Sequence, residues 1–170
     1  GCMAGNIQQL LLNLQYEKAR AEALKLNQIF GVGNFYLELQ DHGMEEQARL
    51  NQQLIRLSKE TGIPLVATND IHYLERDDAD IHDILLCIQT GKTVDDSERL
   101  KFPTNEFYLK SPDEMEALFP YAQEALDNTV RIAQMCNVEF DFNQIHLPDY
   151  DVPEGYTPKT YLKELCQKGL

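Results

Sequence analysis

Two ionisable side chains, Asp70 and His72, follow a short apolar run and are the residues of this sequence whose types best suit metal binding. A carboxylate and an imidazole are common ligands of divalent transition metals. If the backbone is extended there, residues two apart project from the same face, so the two side chains converge. The spacing alone leaves two alternatives open. The pair is half of a metal site, or Asp70 caps the next helix and His72 lies on a surface loop.

The elements around this pair predict that it lies at the carboxyl end of a buried strand. Residues 65–68 are aliphatic and β-branched, which indicates a strand of a parallel sheet, and residues 35–39 predict a second strand. A helix at 45–61, stopped by Gly62, lies between them. Strand, helix, strand implies parallel strands joined by a right-handed crossover. Folds of this α/β class carry their chemistry just past the carboxyl ends of the strands.

The remaining periodicity predicts further helices. One apolar stripe indicates a single helix from about residue 7 to 30, and Ser111-Pro112 is typical of a helix start. Two more helices are predicted at 122–137 and from Thr157-Pro158 onward, with an extended linker at 140–156. Another helix is predicted at 77–90, with a buried stripe formed by Ile81, Ile84, Leu85 and Ile88.

Length and composition limit the function classes. The 170 residues suffice for one domain with a sizeable core, and no apolar run approaches the roughly 20 residues that span a bilayer. A formal charge of −13 argues against a non-specific nucleic-acid-binding surface. It does not exclude a small active site in which metal ions bind a phosphodiester. Four scattered cysteines without a CxxC pair predict a reducing, cytoplasmic compartment. Because Met stands at position 3 and the chain stops abruptly, we expect a piece of a longer protein.

Five segments, in their order and spacing, resemble the family of bacterial DNA polymerase III alpha subunits, and the resemblance covers essentially the whole chain. They are GCMAG at 1–5, FYLELQDHG at 35–43, IPLVATNDIHY at 63–73, DILLCIQTGK at 83–92 and FYLKSP at 107–112. Residues 1–146 look like the C-terminal portion of the family's PHP (polymerase and histidinol phosphatase) domain. Residues 147–170 look like the linker and first helix that lead into the polymerase core.

The resemblance implies a fold and a metal site. The fold would be α/β, a partial PHP-type (β/α)7 barrel with a helical C-terminal extension. In members that retain it, a cluster of divalent metals sits at the carboxyl ends of the strands, and most of its ligands precede the part matched here. The remaining ligand positions match Cys2, Asp70 and His72, so this sequence resembles the metal-retaining group. Carboxylate and imidazole suit zinc or manganese, and a thiolate shifts the preference toward zinc.

The resemblance also implies an activity and partners. The parent would be a magnesium-dependent DNA-directed DNA polymerase that acts on DNA with a sliding clamp and a clamp loader, without a membrane. Its PHP site would be a 3′–5′ exonuclease, and the 170 residues alone would be inactive. One alternative is a non-catalytic PHP module that stabilises the polymerase and docks a proofreading subunit. A second is a free-standing PHP phosphoesterase, against which the tail after Pro148 argues. His42 is a candidate substrate contact, with a solvated loop residue as the alternative.

Overall fold

The computed structural model describes residues 3–145 and 147–169, so the predicted ligand Cys2 lies outside the described residues. The chain divides into two compact units, Gly1–Cys136 and Asn137–Leu170. The boundary between the two units lies before residue 146, where the sequence predicts the domain boundary. The assignment of residues 1–146 to a PHP domain and of residues 147–170 to a polymerase linker stays a prediction.

A parallel pair of short strands lies at the centre of the first unit. Strand β1 (Leu37–Leu39) pairs with β2 (Leu65–Ala67), with Leu37 opposite Leu65 and Leu39 opposite Ala67. Helix α3 (Glu45–Thr61) connects them and ends at Gly62, whose φ of 71° is the left-handed conformation that glycine adopts without strain. The predicted strand–helix–strand unit of an α/β protein is thus confirmed. Whether this pair belongs to a (β/α)7 barrel stays a prediction.

The N-terminal region forms two helices rather than the single predicted one. Helix α1 (Asn6–Leu12) and helix α2 (Tyr16–Phe30) are separated by Leu14, which has a φ of 58°. At this break Asn13 donates from its side chain to the carbonyl of Gln9. The prediction was wrong because the apolar stripe continues across the break, and neither Gly nor Pro marks it in the sequence.

Helices pack on the strand pair through an apolar core and two buried amides. Helix α5 (Pro112–Leu118) is followed by α6 (Gln123–Met135), which packs along β2. Asn51 of α3 donates to the carbonyl of Gln40 over 2.9 Å, and Asn128 of α6 donates to the carbonyl of Leu65 over 2.8 Å. Because both amides are buried, these bonds fix the helices in register with the strands. The core also includes Leu11, Leu39, Leu54, Leu57, Ile63 and Phe119.

The helix predicted at 77–90 presents its apolar stripe to solvent. A 3-10 turn at Arg76–Asp78 leads into α4 (Ala79–Thr90), and the buried side chains of α4 are Leu86 and Cys87. The predicted buried stripe is wrong, since every member is at least half exposed: Ile81, Ile84, Leu85 and Ile88. Periodicity identifies residues that share a helix face, but it does not say what covers that face. No described residue of the first unit buries this face.

Within the described part of the second unit, helix α7 (Pro158–Lys168) begins where the sequence predicts it. The Thr157 hydroxyl accepts from the backbone N–H of Thr160, and the Thr160 side chain accepts from the backbone N–H of Thr157. This reciprocal cap, with Pro158 in the first turn, is a strong helix start. Across the part of the chain that the structure describes, no helix is both long and apolar enough to cross a membrane.

Candidate metal centre

Asp70 and His72 come together at the carboxyl end of β2, as the sequence predicts. The backbone conformation that brings them together differs from the extended one expected from the sequence. The Asp70 carboxylate lies 3.4 Å from the Nε2 atom of His72, and both side chains are about one third exposed. Asp70 has a φ of 48°, the left-handed conformation, so the predicted extended backbone is wrong. The His72 backbone N–H donates to the carbonyl of Phe107 over 2.8 Å, which fixes the chain just beyond the turn.

The chemistry and spacing of these two donors fit one metal ion. Two atoms that each lie about 2.0–2.1 Å from a tetrahedral ion are separated by roughly 3.4 Å. The observed Oδ1 to Nε2 distance of 3.4 Å matches that separation. Among residues 3–145 and 147–169, no group of three or more His, Cys, Asp and Glu side chains could hold a metal. The described residues therefore bring two candidate donors together, and the predicted third donor, Cys2, lies outside the described residues.

Aromatic rings surround His72 and limit its orientation. The His72 ring makes edge contacts with Phe102 and Phe107, with centroid distances of 4.6 and 5.8 Å, and a tilted contact with His82 at 5.6 Å. Burial lowers the pKa of His82, and the nearby His72 adds to that effect. These rings pack against His72 on several sides, and in the structure its Nε2 atom is directed toward Asp70.

A groove with a volume of about 490 Å³ opens beside the pair. The segment 100–103 forms one wall, and the loop that carries it is tied to α4 by Arg99, whose guanidinium pairs with both carboxylate oxygens of Asp83 at 2.5 and 2.8 Å. A two-point ion pair of this kind fixes geometry as well as charge. The groove walls are mainly apolar, and Lys101 adds a cation to them.

His42 is a buried structural residue in this arrangement, so the alternative of a solvated loop residue is wrong. Its side chain is 1% exposed and stacks on Phe107 at a centroid distance of 3.9 Å. Gln47 accepts from the His42 backbone N–H at 2.7 Å and donates to Nδ1 at 2.8 Å. Nε2 then carries the ring proton and donates to the carbonyl of Asn69 over 3.0 Å. Both ring nitrogens are engaged within the protein, and a substrate contact by His42 stays a prediction.

The sequence reasoning missed Lys110, which lies beneath the turn that carries Asp70. Its side chain is 2% exposed, and its Nζ lies 3.4 Å from Asn69 Oδ1. Burial lowers the pKa of Lys110, and Glu106 partly opposes this effect. The signal was present in the FYLK segment, because Tyr108 and Lys110 are two apart in an extended stretch and so share a face. In the structure the Lys110 ammonium lies 4.2 Å from the centre of the Tyr108 ring.

Comparison with curated proteins finds close relatives over the whole chain. The chain is 46% identical over 170 residues to the DNA polymerase III subunit alpha of Treponema pallidum, a match that covers 99% of this chain and 14% of that relative. It is 46% identical over 171 residues to the same subunit of Borreliella burgdorferi, with 99% and 15% covered. The Thermus aquaticus subunit is 42% identical over 176 residues, with 100% and 14% covered. No protein-family model matches. The chain thus spans only about 14% of the length of these relatives.

Proposed function

We propose, from the premise that this chain belongs to the family of bacterial DNA polymerase III alpha subunits, that it contributes ligands to a divalent-metal centre of a replicative polymerase. The parent protein would be a magnesium-dependent DNA-directed DNA polymerase in the cytoplasm. It would act on DNA together with a sliding clamp and a clamp loader. The metal centre would belong to its PHP domain and would remove nucleotides from the 3′ end of DNA.

One observation carries this proposal. Asp70 Oδ1 and His72 Nε2 converge to 3.4 Å at the carboxyl end of β2, where α/β folds place their chemistry. With zinc or manganese bound, the centre would lower the pKa of a bound water and offset negative charge on the phosphoryl group. Asp70 and His72 would supply two ligands, and Cys2 would supply a third. The remaining ligands would come from parts of the parent outside this chain.

The groove beside the pair suits a strand of DNA. The Lys101 ammonium can offset the charge of a backbone phosphate at the groove wall, whereas the chain as a whole is acidic. The apolar walls would contact the bases or sugars of the strand, while its phosphate lies next to the candidate metal pair. Because the chain is acidic apart from this local cation, we expect the groove to bind the end of a single DNA strand rather than a long duplex.

A second candidate function is a non-catalytic module that stabilises the polymerase or docks a proofreading subunit. The exposed apolar face of α4 favours this alternative, because patches of large apolar side chains mark contact surfaces. The two functions are compatible in one domain. Only the first requires Asp70 and His72 to bind metal. A free-standing phosphoesterase is disfavoured, because the relatives that match 99% or more of this chain are polymerase subunits.

Metal content of the parent protein tests the proposed centre. Asp70→Asn and His72→Asn should each weaken zinc or manganese binding roughly a hundredfold, since even loss of a residue that merely supports a ligand weakens metal binding 10- to 100-fold. Asp77→Asn is the matched control, because Asp77 is exposed and lies outside the groove. Equilibrium dialysis followed by elemental analysis measures the affinity. Unchanged metal binding in both variants would show that Asp70 and His72 are not ligands.

A further inference from the structure

We infer that Lys110 and His42 are positioning residues that hold Asn69 from two sides and thereby keep Asp70 in its left-handed conformation. The inference rests on the proposed function in one respect, because that proposal makes Asp70 a metal ligand. This role requires no contact of either residue with the metal. Their effect would pass through the turn that begins at Asn69.

Lys110 holds the side chain of Asn69. Its ammonium is buried, donates to the Glu106 carbonyl and lies 3.4 Å from Asn69 Oδ1. The Glu106 carboxylate at 3.6 Å and the Tyr108 ring at 4.2 Å complete its surroundings. A buried ammonium is unfavourable unless such groups surround it. Because Asn69 Oδ1 is one of the acceptors of this buried ammonium, Lys110 constrains where the Asn69 amide lies.

His42 holds the main chain of the same residue. Its Nε2 donates to the Asn69 carbonyl over 3.0 Å. The ring cannot rotate freely, because Gln47 bonds Nδ1 and Phe107 stacks on the ring face. Asn69 is therefore bonded at its carbonyl by the loop after β1 and at its side chain by the segment 106–110.

These two contacts matter because the conformation of Asp70 is intrinsically unfavourable. A non-glycine residue in the left-handed region is disfavoured roughly tenfold relative to its extended or right-handed forms, although Asp tolerates it better than most. On the far side of Asp70, the His72 N–H is bonded to the Phe107 carbonyl. Asp70 thus lies between two fixed points. If Asn69 were released, the turn could relax, and the Asp70 carboxylate would leave His72.

Lys110→Met tests this directly, with Lys110→Arg as the matched control. Methionine keeps the length and apolar stem of Lys110 but removes the donor, whereas arginine keeps the charge and the donor. The readout is the intraresidue amide–Hα NOE of Asp70 in the 170-residue chain without metal, which is strong only when φ is positive. Because a hydrogen bond to a charged group is lost, we expect the ratio of left-handed to extended Asp70 to fall about tenfold in Lys110→Met. Lys110→Arg should retain most of the left-handed population of Asp70.

Asn69→Ala is the second variant, because it removes the acceptor and leaves the other contacts of Lys110 in place. The same loss of the Asp70 NOE is expected. A strong NOE in both Lys110→Met and Asn69→Ala would overturn the inference. Global unfolding of both variants would also overturn it, since the role would then be general stability. No metal is present in this experiment, so its outcome is independent of whether Asp70 and His72 prove to be ligands.

Discussion

The Nε2 atom of His42 donates a hydrogen bond of 3.0 Å to the main-chain carbonyl of Asn69 and so joins the loops that follow β1 and β2. The two residues are 27 positions apart, and α3 lies between them. The bond ties together the carboxyl ends of two parallel strands, which is where the candidate metal pair is located. A buried histidine in this position acts as a structural link for the site.

Replacement of His42 by alanine should destabilise the first unit substantially. The substitution removes a buried ring that stacks on Phe107, and it leaves the side-chain NH2 group of Gln47 and the Asn69 carbonyl without their imidazole partner. Such losses typically lower the free energy of unfolding by about 2–4 kcal/mol. Urea denaturation followed by circular dichroism measures the change. His82→Ala is the control, because His82 is only partly buried, and its effect should be less than half as large.

Glycine at either non-glycine position with positive φ should relieve backbone strain. Leu14 has a φ of 58° and is 87% exposed, so Leu14→Gly removes strain without loss of packing. We expect the free energy of unfolding to rise by roughly 0.5–1 kcal/mol, after allowance for the greater entropy of glycine in the unfolded chain. Asp70→Gly should give a smaller gain, because Asp tolerates this conformation better than Leu.

The matched control for these glycine variants is Leu24→Gly within α2, which should lower the free energy of unfolding by at least about 1 kcal/mol, because glycine is unfavourable in a helix and the partly buried leucine side chain is lost. Thermal denaturation of the three variants side by side gives the comparison. A destabilised Leu14→Gly variant would contradict the assignment of strain to residue 14.

Glu114 should contribute to the loss of stability in acid. The Tyr108 hydroxyl donates to its carboxylate over 2.6 Å, and the Ser111 backbone N–H donates over 2.8 Å. These bonds lower the pKa of Glu114 to about 2. Because the folded pKa lies below the unfolded value, the stabilisation is fully present above the unfolded pKa. It is lost as the pH falls toward about 2.

The variant that tests this pH dependence is Glu114→Gln, which cannot titrate. Its stability should fall less steeply than that of the unmodified chain between about pH 5 and pH 2. Glu116→Gln on the same helix is the control, because the structure gives Glu116 no hydrogen bond to any described residue. Urea midpoints measured in half-unit pH steps would show the difference. Parallel curves for the unmodified chain and Glu114→Gln would contradict the pKa assignment.

The strand–helix–strand unit could be predicted because its signals are local. The aliphatic run before Asp70, the periodicity of α3 and the stop at Gly62 each act within a few residues. The break at Leu14 could not be predicted, because the apolar stripe runs through it. The exposure of the α4 stripe could not be predicted from the sequence either, because it depends on which surfaces lie opposite Ile84 and Ile88.

The proximity of Asp70 and His72 could be predicted from the sequence, whereas the backbone geometry that produces it could not. Asp70 and His72 were recognised by residue type and spacing, and the structure brings them together. The left-handed turn at Asp70 was missed, although Asn and Asp are the non-glycine residues that tolerate it best. Lys110 was missed because its role depends on a contact with Asn69, which lies 41 positions earlier in the chain.

The 170-residue chain alone should neither extend a primer nor degrade DNA. Among the described residues no three His, Cys, Asp or Glu side chains come together, and the two donors of the candidate pair do not make a stable hydrolytic centre. Incubation with a labelled single strand in the presence of zinc or manganese tests the point. Release of nucleotides that depends on Asp70 would contradict this expectation.

The proposed exonuclease centre is tested most directly by removal of a 3′ mismatch by the complete parent polymerase that carries Asp70→Asn. Loss of a metal ligand should reduce exonuclease activity by at least about a hundredfold, while primer extension changes less than twofold. Asp77→Asn should leave both activities unchanged. If the Asp70→Asn polymerase removes the mismatch as fast as the unmodified enzyme, Asp70 is not part of an exonuclease centre.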